Sequence, residues 1–402
     1  MAVTKFAIDS NTRGGTTMTP PTTTPIADPA AAPAPTLIPA AKPLIGHEER
    51  LAVHNVLLSG MLAQGPEVAA FEREFSEHFV AGRPTVALNS GTSGQHLGLL
   101  ASGIGPGDEV IVPSFTFAAV ANSVALTGAT PVFADIEPTH FTLDPAAVRA
   151  AITERTAGVM PVHLYGHPFQ VDAMHAIATE HGIALFEDAA QAHGARWNGQ
   201  PVGSFGEFAM FSLYPTKNMT AIEGGMVSCR TQETARRLRL LRNQGMETQY
   251  ANEVIGFNAR MSDVHAAVGR VQLRKVDDWT HTRRSHAAFF DRELATLPGL
   301  TVPRIAPEAT HVYHQYTVRV PAAERDNIRA ALRDEHGVAT GVYYPIPNHR
   351  LPSLGQFAPA HELPESDRAA AEVLSLPVHP SLTAGDLDRI VAGVSAVMAA
   401  GA

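Results

Sequence analysis

The chain has 402 residues, 45% of them hydrophobic, enough for a globular protein of two structural domains. Its formal net charge of -9 argues against a general nucleic-acid binder, whose surface is basic, and no apolar run approaches the roughly 20 residues of a membrane span. The single cysteine, Cys229, leaves no internal disulfide, and Met1 to Ser10 lacks the basic-then-apolar pattern of a secretory signal, so the expected location is the reducing cytoplasm.

Thr16 to Pro43 is dominated by Thr, Pro and Ala, including PPTTTP and AAPAP. Such a composition has little to bury against the entropy of ordering, so residues 1–42 are expected to be a disordered tail. From Pro43 the pattern is α/β, with short apolar strands alternating with helical stretches. Thr85–Asn89 reads as a strand running into a helix at Ser90-Gly91-Thr92. Glu109–Pro113, Pro131–Asp135, Val159–His163, Ile183–Asp188, Phe208–Ser212 and Gly225–Cys229 read as further strands, with a helix at Val171–His181. Met261 to about Leu294 reads as one long helical region, ending before the Leu297-Pro298-Gly299 break. Beyond it, His314–Val320 and Ala339–Tyr344 are strand-like, and Ala322–Glu335 and Thr383–Ala399 helical. The expected division is a large domain over 43–280 and a smaller α+β domain over 281–402.

Three features carry chemistry. Ser90-Gly91-Thr92-Ser93-Gly94 stands at a strand-to-helix turn, where backbone N–H groups and the helix dipole attract an anion. Asp188 ends an apolar strand, the edge where open α/β sheets place ligands, although it could equally cap the next helix. Lys217 lies on a loop just after a strand, between Ser212 and Glu223-Gly224-Gly225; small residues and a hydroxyl there suit a phosphate-bearing cofactor approached by backbone.

With these features in that order, the chain resembles the DegT/StrS family of sugar aminotransferases. The matching stretches are NSGTSG (89–94), GPGDEVIVPSFTF (105–117), PVHLYG (161–166), FEDAAQAHGA (186–195), FSLYPTKN (211–218), EGGMV (223–227), GFNARMSDVHAAVG (256–269) and LSLPVHP (374–380). The resemblance implies a fold-type-I enzyme dependent on pyridoxal 5'-phosphate (PLP), its large domain a mixed, mostly parallel sheet between helices. Lys217 would hold the cofactor as a Schiff base and move protons, and Asp188 would pair with the pyridine nitrogen, keeping the ring an electron sink. Thr92, Ser93 and Ser212 would hold the phosphate, Phe117 would stack on the ring, and Gln191 would sit near its phenolic oxygen. Asn258 would reach the phosphate from the partner subunit of a homodimer, with Arg260 orienting its loop. Tyr344 and His349 would face the sugar.

The implied reaction moves an amino group, usually from glutamate, to a keto sugar commonly carried on a nucleotide diphosphate. A cyclitol or other cyclic ketone is the alternative acceptor, and a PLP-binding sensor without turnover the alternative function. Lys217 favours transamination over the dehydration carried out by relatives with histidine there. Ile222 stands where many relatives have glycine. His163 could be structural or catalytic, His193 supports the site at most, Glu223 serves the site or only shapes its loop, and Cys229 reads as core. His311 and His314 lack a carboxylate or cysteine to complete a metal site, so no metal is expected.

Overall fold

The computed structural model describes residues 37–400, and Thr36–Ala402 forms one compact unit. Its centre is a seven-stranded sheet. The strands are β1 (Thr85–Leu88), β2 (Glu109–Pro113), β3 (Thr130–Ala134), β4 (Thr156–Val159), β5 (Ala184–Asp188), β6 (Phe208–Ser212) and β7 (Gly225–Cys229), in the spatial order β1-β7-β6-β5-β4-β2-β3. Every residue of β2 is buried, as an unbroken apolar run requires when helices cover both faces. β7 alone runs against its neighbours β1 and β6; the other pairs are parallel. The carboxyl ends of β1, β2, β5 and β6 and the amino end of β7 therefore share one edge. That edge gathers Ser90, Phe117, Asp188, Ser212 and Gly225.

Three expected elements differ. The strand expected at 159–163 ends at Val159; Val162 makes only a single bridge to Asp188, because burial rather than pairing explains the apolar MPVHLYG run. The long helical region divides into Asp263–Leu273 and Val276–Leu294, and the joint is held by Lys275, whose Nζ lies 2.6 Å from Glu48 and 2.9 Å from Glu49. Ala339–Tyr344 forms no strand, only a bridge between Gly341 and Ser375 within Val373–Leu376, which itself pairs with Tyr316–Arg319.

The tail boundary at 42 also moves. Ile38 is buried, its N–H donates to Gly337 at 2.8 Å, and its carbonyl accepts from Ala339 at 2.9 Å; of the tail expected at 1–42, residues 1–36 lie outside the described residues. Ile38 joins a hydrophobic cluster with Phe290, Leu294, Tyr316, Leu332, Leu374 and Ile390. The helix Val276–Leu294 runs across the expected division at 280, so no break in the chain marks it. No helix among the described residues is long and apolar enough to cross a membrane.

Candidate active site

Ser90 caps the helix Gly91–Ala101: its Oγ accepts from the Ser93 N–H at 3.1 Å. The N–H groups of Gly91 and Thr92 precede the first rung of the helix ladder, just past the carboxyl end of β1. A Cβ on Gly91 would meet Met210 Sδ at 2.9 Å and Ser212 Cβ at 3.2 Å, so glycine lets Ser212 approach the helix start. A Cβ on Gly225 would stand 2.5 Å from the Ser90 carbonyl oxygen, which explains that glycine too. The result is a cradle of backbone donors and a hydroxyl, sized for a phosphate.

Asp188 is buried beside this cradle. Its carboxylate accepts from Gln95 Nε2 at 2.6 Å and from the Ala190 N–H at 2.9 Å. Burial pushes its carboxyl above the usual range, opposed by the Ala190 hydrogen bond and the positive charge of Lys217. Burial lowers the Lys217 amine to about 8, and the Asp188 carboxylate works against that shift. The amine is therefore close to half neutral near pH 8, a state in which it can act as nucleophile or base.

Thr92, Phe117, Asp188, Gln191, Ser212, Lys217 and Tyr344 line one cavity of about 450 Å³. Gln191 is fixed at both ends: its Oε1 accepts from the Tyr165 N–H at 2.6 Å, and its Nε2 donates to the Tyr344 hydroxyl at 2.9 Å. The ring of Phe117, 60% exposed, lies 6.1 Å from that of Tyr344. Glu223 lines the cavity as well.

Three expected residues do not line it. Ser93 is one residue further into the helix, and its hydroxyl accepts from Ser90 at 3.0 Å. His349 is turned aside: Nδ1 lies 2.6 Å from Ser114 Oγ and Nε2 lies 3.7 Å from Asp367. Asn258 is exposed, outside its own chain's cavity, in a bridge with Asn243; Arg260 steadies that loop by donating to Asn243 Oδ1 at 2.9 Å.

The ambiguous histidines are placed by their contacts. His163 accepts from the Phe169 N–H at Nδ1, so its Nε2 carries the proton and donates to Glu187 at 3.2 Å; Glu187 leaves the strand on the opposite face from Asp188. His163 is thus a structural side chain. His193 is buried among Phe75, Phe79 and Phe211, and burial lowers its imidazole to about 3. His314 does line the cavity, its Nδ1 3.2 Å from Asn218 Oδ1. Residues not foreseen in the lining include Gln95, Tyr165, Tyr343 and Gln315. Gln95 had only a faint signal, as a polar residue with His96 beside it in the mostly small or apolar run GTSGQHLGLLA.

The family model of the DegT/DnrJ/EryC1/StrS aminotransferases matches residues 43–395. The chain is 44% identical to the erythromycin biosynthesis sensory transduction protein EryC1 of Saccharopolyspora erythraea, over 86% of this chain and 94% of that protein. It is 43% identical to the dTDP-3-amino-3,4,6-trideoxy-alpha-D-glucose transaminase of Streptomyces venezuelae, over 86% of this chain and 91% of that one. The crystal structure of S. venezuelae DesV in complex with a ketimine intermediate superposes with a TM-score of 0.84 at 42% identity, covering 87% of this chain and 94% of DesV. With a family model matching most of the chain and relatives above 40% identity over most of their length, this chain belongs to the DegT/DnrJ/EryC1/StrS aminotransferase family.

Proposed function

We propose that this chain is a PLP-dependent aminotransferase that takes an amino group, from L-glutamate, and delivers it to the keto carbon of a nucleotide-linked sugar. The observation that carries the reading is the convergence of Asp188, Lys217 and the Gly91–Thr92 cradle on one cavity. The cradle and Ser212 fit a phosphate, and the buried carboxylate fits a protonated ring nitrogen. When bound, PLP supplies the electron sink that lets a carbon next to nitrogen lose a proton.

The chain's own residues do the rest. Lys217 is the residue that would hold the cofactor covalently and move the proton; an amine lowered to about 8 is suited to both tasks near neutral pH. Asp188 holds the proton at the pyridine nitrogen, and Gln95 and the Ala190 N–H hold Asp188 in place. Gln191, clamped between Tyr165 and Tyr344, offers its amide near the phenolic oxygen. Phe117, in the cavity wall, would cover one face of the ring. Asn258 of the partner subunit would reach the phosphate in a homodimer, which its exposure outside its own cavity favours. Tyr344 stands in the cavity wall where the sugar would enter; His349 acts, if at all, through Ser114. The one cysteine, the buried Cys229, suits a cytoplasmic enzyme.

The test is to add glutamate to the purified, PLP-loaded protein and follow the cofactor spectrum, then supply a nucleotide-linked keto sugar and detect the amino sugar by mass. Spectral conversion followed by an amino sugar is the expected result. Bound cofactor with no conversion would favour a sensor, and conversion with amination only of cyclitol ketones would favour the alternative acceptor.

A further inference from the structure

An amino-group transfer moves protons at two kinds of atom. Lys217 serves the proton at carbon; the other protons end on an oxygen. When an amine replaces a ketone oxygen, a carbon–nitrogen bond forms and the carbon–oxygen bond breaks. The two hydrogens of the amine leave with that oxygen as water. A positioned acid that protonates the departing oxygen speeds this exchange.

The cavity wall holds few acids with a proton to spare. Asp188 and Glu223 accept rather than donate when ionised. His314 gives its Nδ1 proton to Asn218 Oδ1 at 3.2 Å, because the Asn218 amide nitrogen donates to the Val312 carbonyl at 3.1 Å. The Tyr165 hydroxyl donates to the Tyr343 carbonyl, and the Tyr343 hydroxyl is turned against Gly341, 3.0 Å from where a Cβ would stand. Tyr214 is 48% exposed. Tyr344 differs from all of these. Its hydroxyl accepts from Gln191 Nε2 at 2.9 Å, and no acceptor among the described residues takes its own proton. Its ring is fixed between Phe115 and Phe117, with centroids 6.2 Å and 6.1 Å away. Burial, and then the charge of Asp188, push the hydroxyl well above its usual range, so it keeps its proton at neutral pH.

We propose that Tyr344 is a further catalytic residue, the acid that protonates the departing oxygen of the keto acceptor. It gives its hydroxyl proton to that oxygen as the carbon–oxygen bond breaks and takes one back from the nitrogen. Tyr344 therefore ends as it began, and nothing is oxidised or reduced in the exchange. In the donor half-reaction the same exchange runs in reverse: water enters at the carbon, the carbon–nitrogen bond breaks, and a keto acid leaves. The proposal rests on the transamination reading above and holds for any ketone acceptor.

The experiment uses PLP-loaded full-length protein, glutamate deuterated at Cα, and Tyr344→Phe, which keeps the ring and removes the hydroxyl. Loss of deuterium to solvent reports the proton at carbon, and release of the keto acid in a single turnover reports the exchange at oxygen. In Tyr344→Phe, release is expected to fall about 10²- to 10⁴-fold, the usual contribution of a positioned acid. Deuterium loss, which needs Lys217 but no oxygen, should stay within about 3-fold of wild type. The absorbance of bound PLP across a pH series, a readout that requires no turnover, should match wild type. Equal slowing of deuterium loss and release, or slowing of neither, overturns the proposal and leaves transamination standing. A shifted absorbance midpoint or a loss of bound PLP in Tyr344→Phe also overturns it, by placing the hydroxyl on the cofactor. If wild type itself neither removes deuterium nor releases the keto acid, the transamination reading with glutamate fails and the proposal with it.

Discussion

Asp188→Asn separates the charge of this side chain from its shape. The carboxylate accepts from Gln95 Nε2 and from the Ala190 N–H. An asparagine can still accept from Ala190, but its amide NH₂ would then face that of Gln95. Gln95 can rotate its own amide, because its Oε1 accepts from Ser123 Oγ at 3.2 Å and a hydroxyl can accept instead of donate. The rotation avoids most of the roughly 1–3 kcal/mol that an unpaired buried donor costs, and removing a buried carboxylate returns some desolvation. The melting temperature should therefore shift by less than about 4 °C. Function should suffer far more. Leaving the cofactor's ring proton without its buried anion costs about 3–5 kcal/mol, which is roughly a 10²- to 10⁴-fold slower glutamate half-reaction. Lys217 supplies a second readout. Burial lowers its amine to about 8 and Asp188 raises it again, so losing the charge moves the amine further down and makes the neutral form available at lower pH. Stopped-flow absorbance measures the half-reaction. Borohydride trapping of PLP across a pH series, with the Lys217 peptide quantified by mass, measures the amine. A variant with bound cofactor, a rate within about 10-fold of wild type and an unmoved trapping midpoint would refute the pairing of Asp188 with the ring, and a label on any other lysine would refute the role of Lys217.

Two further predictions concern the chain's start and its partner. Removing residues 1–36 should leave activity and melting unchanged, given their Thr/Pro/Ala composition, whereas removing 1–40 also takes Ile38 and the Pro39 carbonyl that accepts from His379 at 3.0 Å, and should cost about 2–4 kcal/mol; identical melts for the two truncations would refute the docking of Ile38. Lys217→Ala subunits mixed with subunits carrying Asn258→Trp should regain activity, to at most about half per mixed dimer, since one of the two sites then has both an intact lysine and an intact partner asparagine. Mixed dimers confirmed by differential tags but inactive would place Asn258 in service of its own chain.

The sequence by itself determined the strands of the central sheet and pointed to the candidate site residues at their ends. Strands such as EVIVP and FAMFS are short, continuously apolar and bounded by turn residues, so their positions follow from local pattern. Asp188 was legible because it ends such a strand, and Lys217 because it lies on the loop just beyond another. Other features depended on contacts between distant parts of the chain. The helix Pro66–Phe79 escaped notice even though Phe71, Phe75 and Phe79 recur at helical spacing. Its amino end has no capping side chain of its own; Asp263, almost 200 residues away, accepts from the N–H groups of Gly65 at 2.8 Å and Val68 at 3.0 Å. Ile38 looked like part of a tail because nothing near it in sequence shows that Gly337 and Ala339 pair with its backbone. His349 looked like a sugar ligand because its neighbours suggested it, but its rotamer is set by Ser114, 235 positions earlier. Gln191, by contrast, was foreseen, yet only the fold shows why it is held: Tyr165 and Tyr344 clamp it from two separate segments. Local pattern fixes where strands and helices begin because it is written in neighbouring residues. Which side chains meet at the sheet edge is decided by hydrogen bonds and packing between segments that only the tertiary structure brings together.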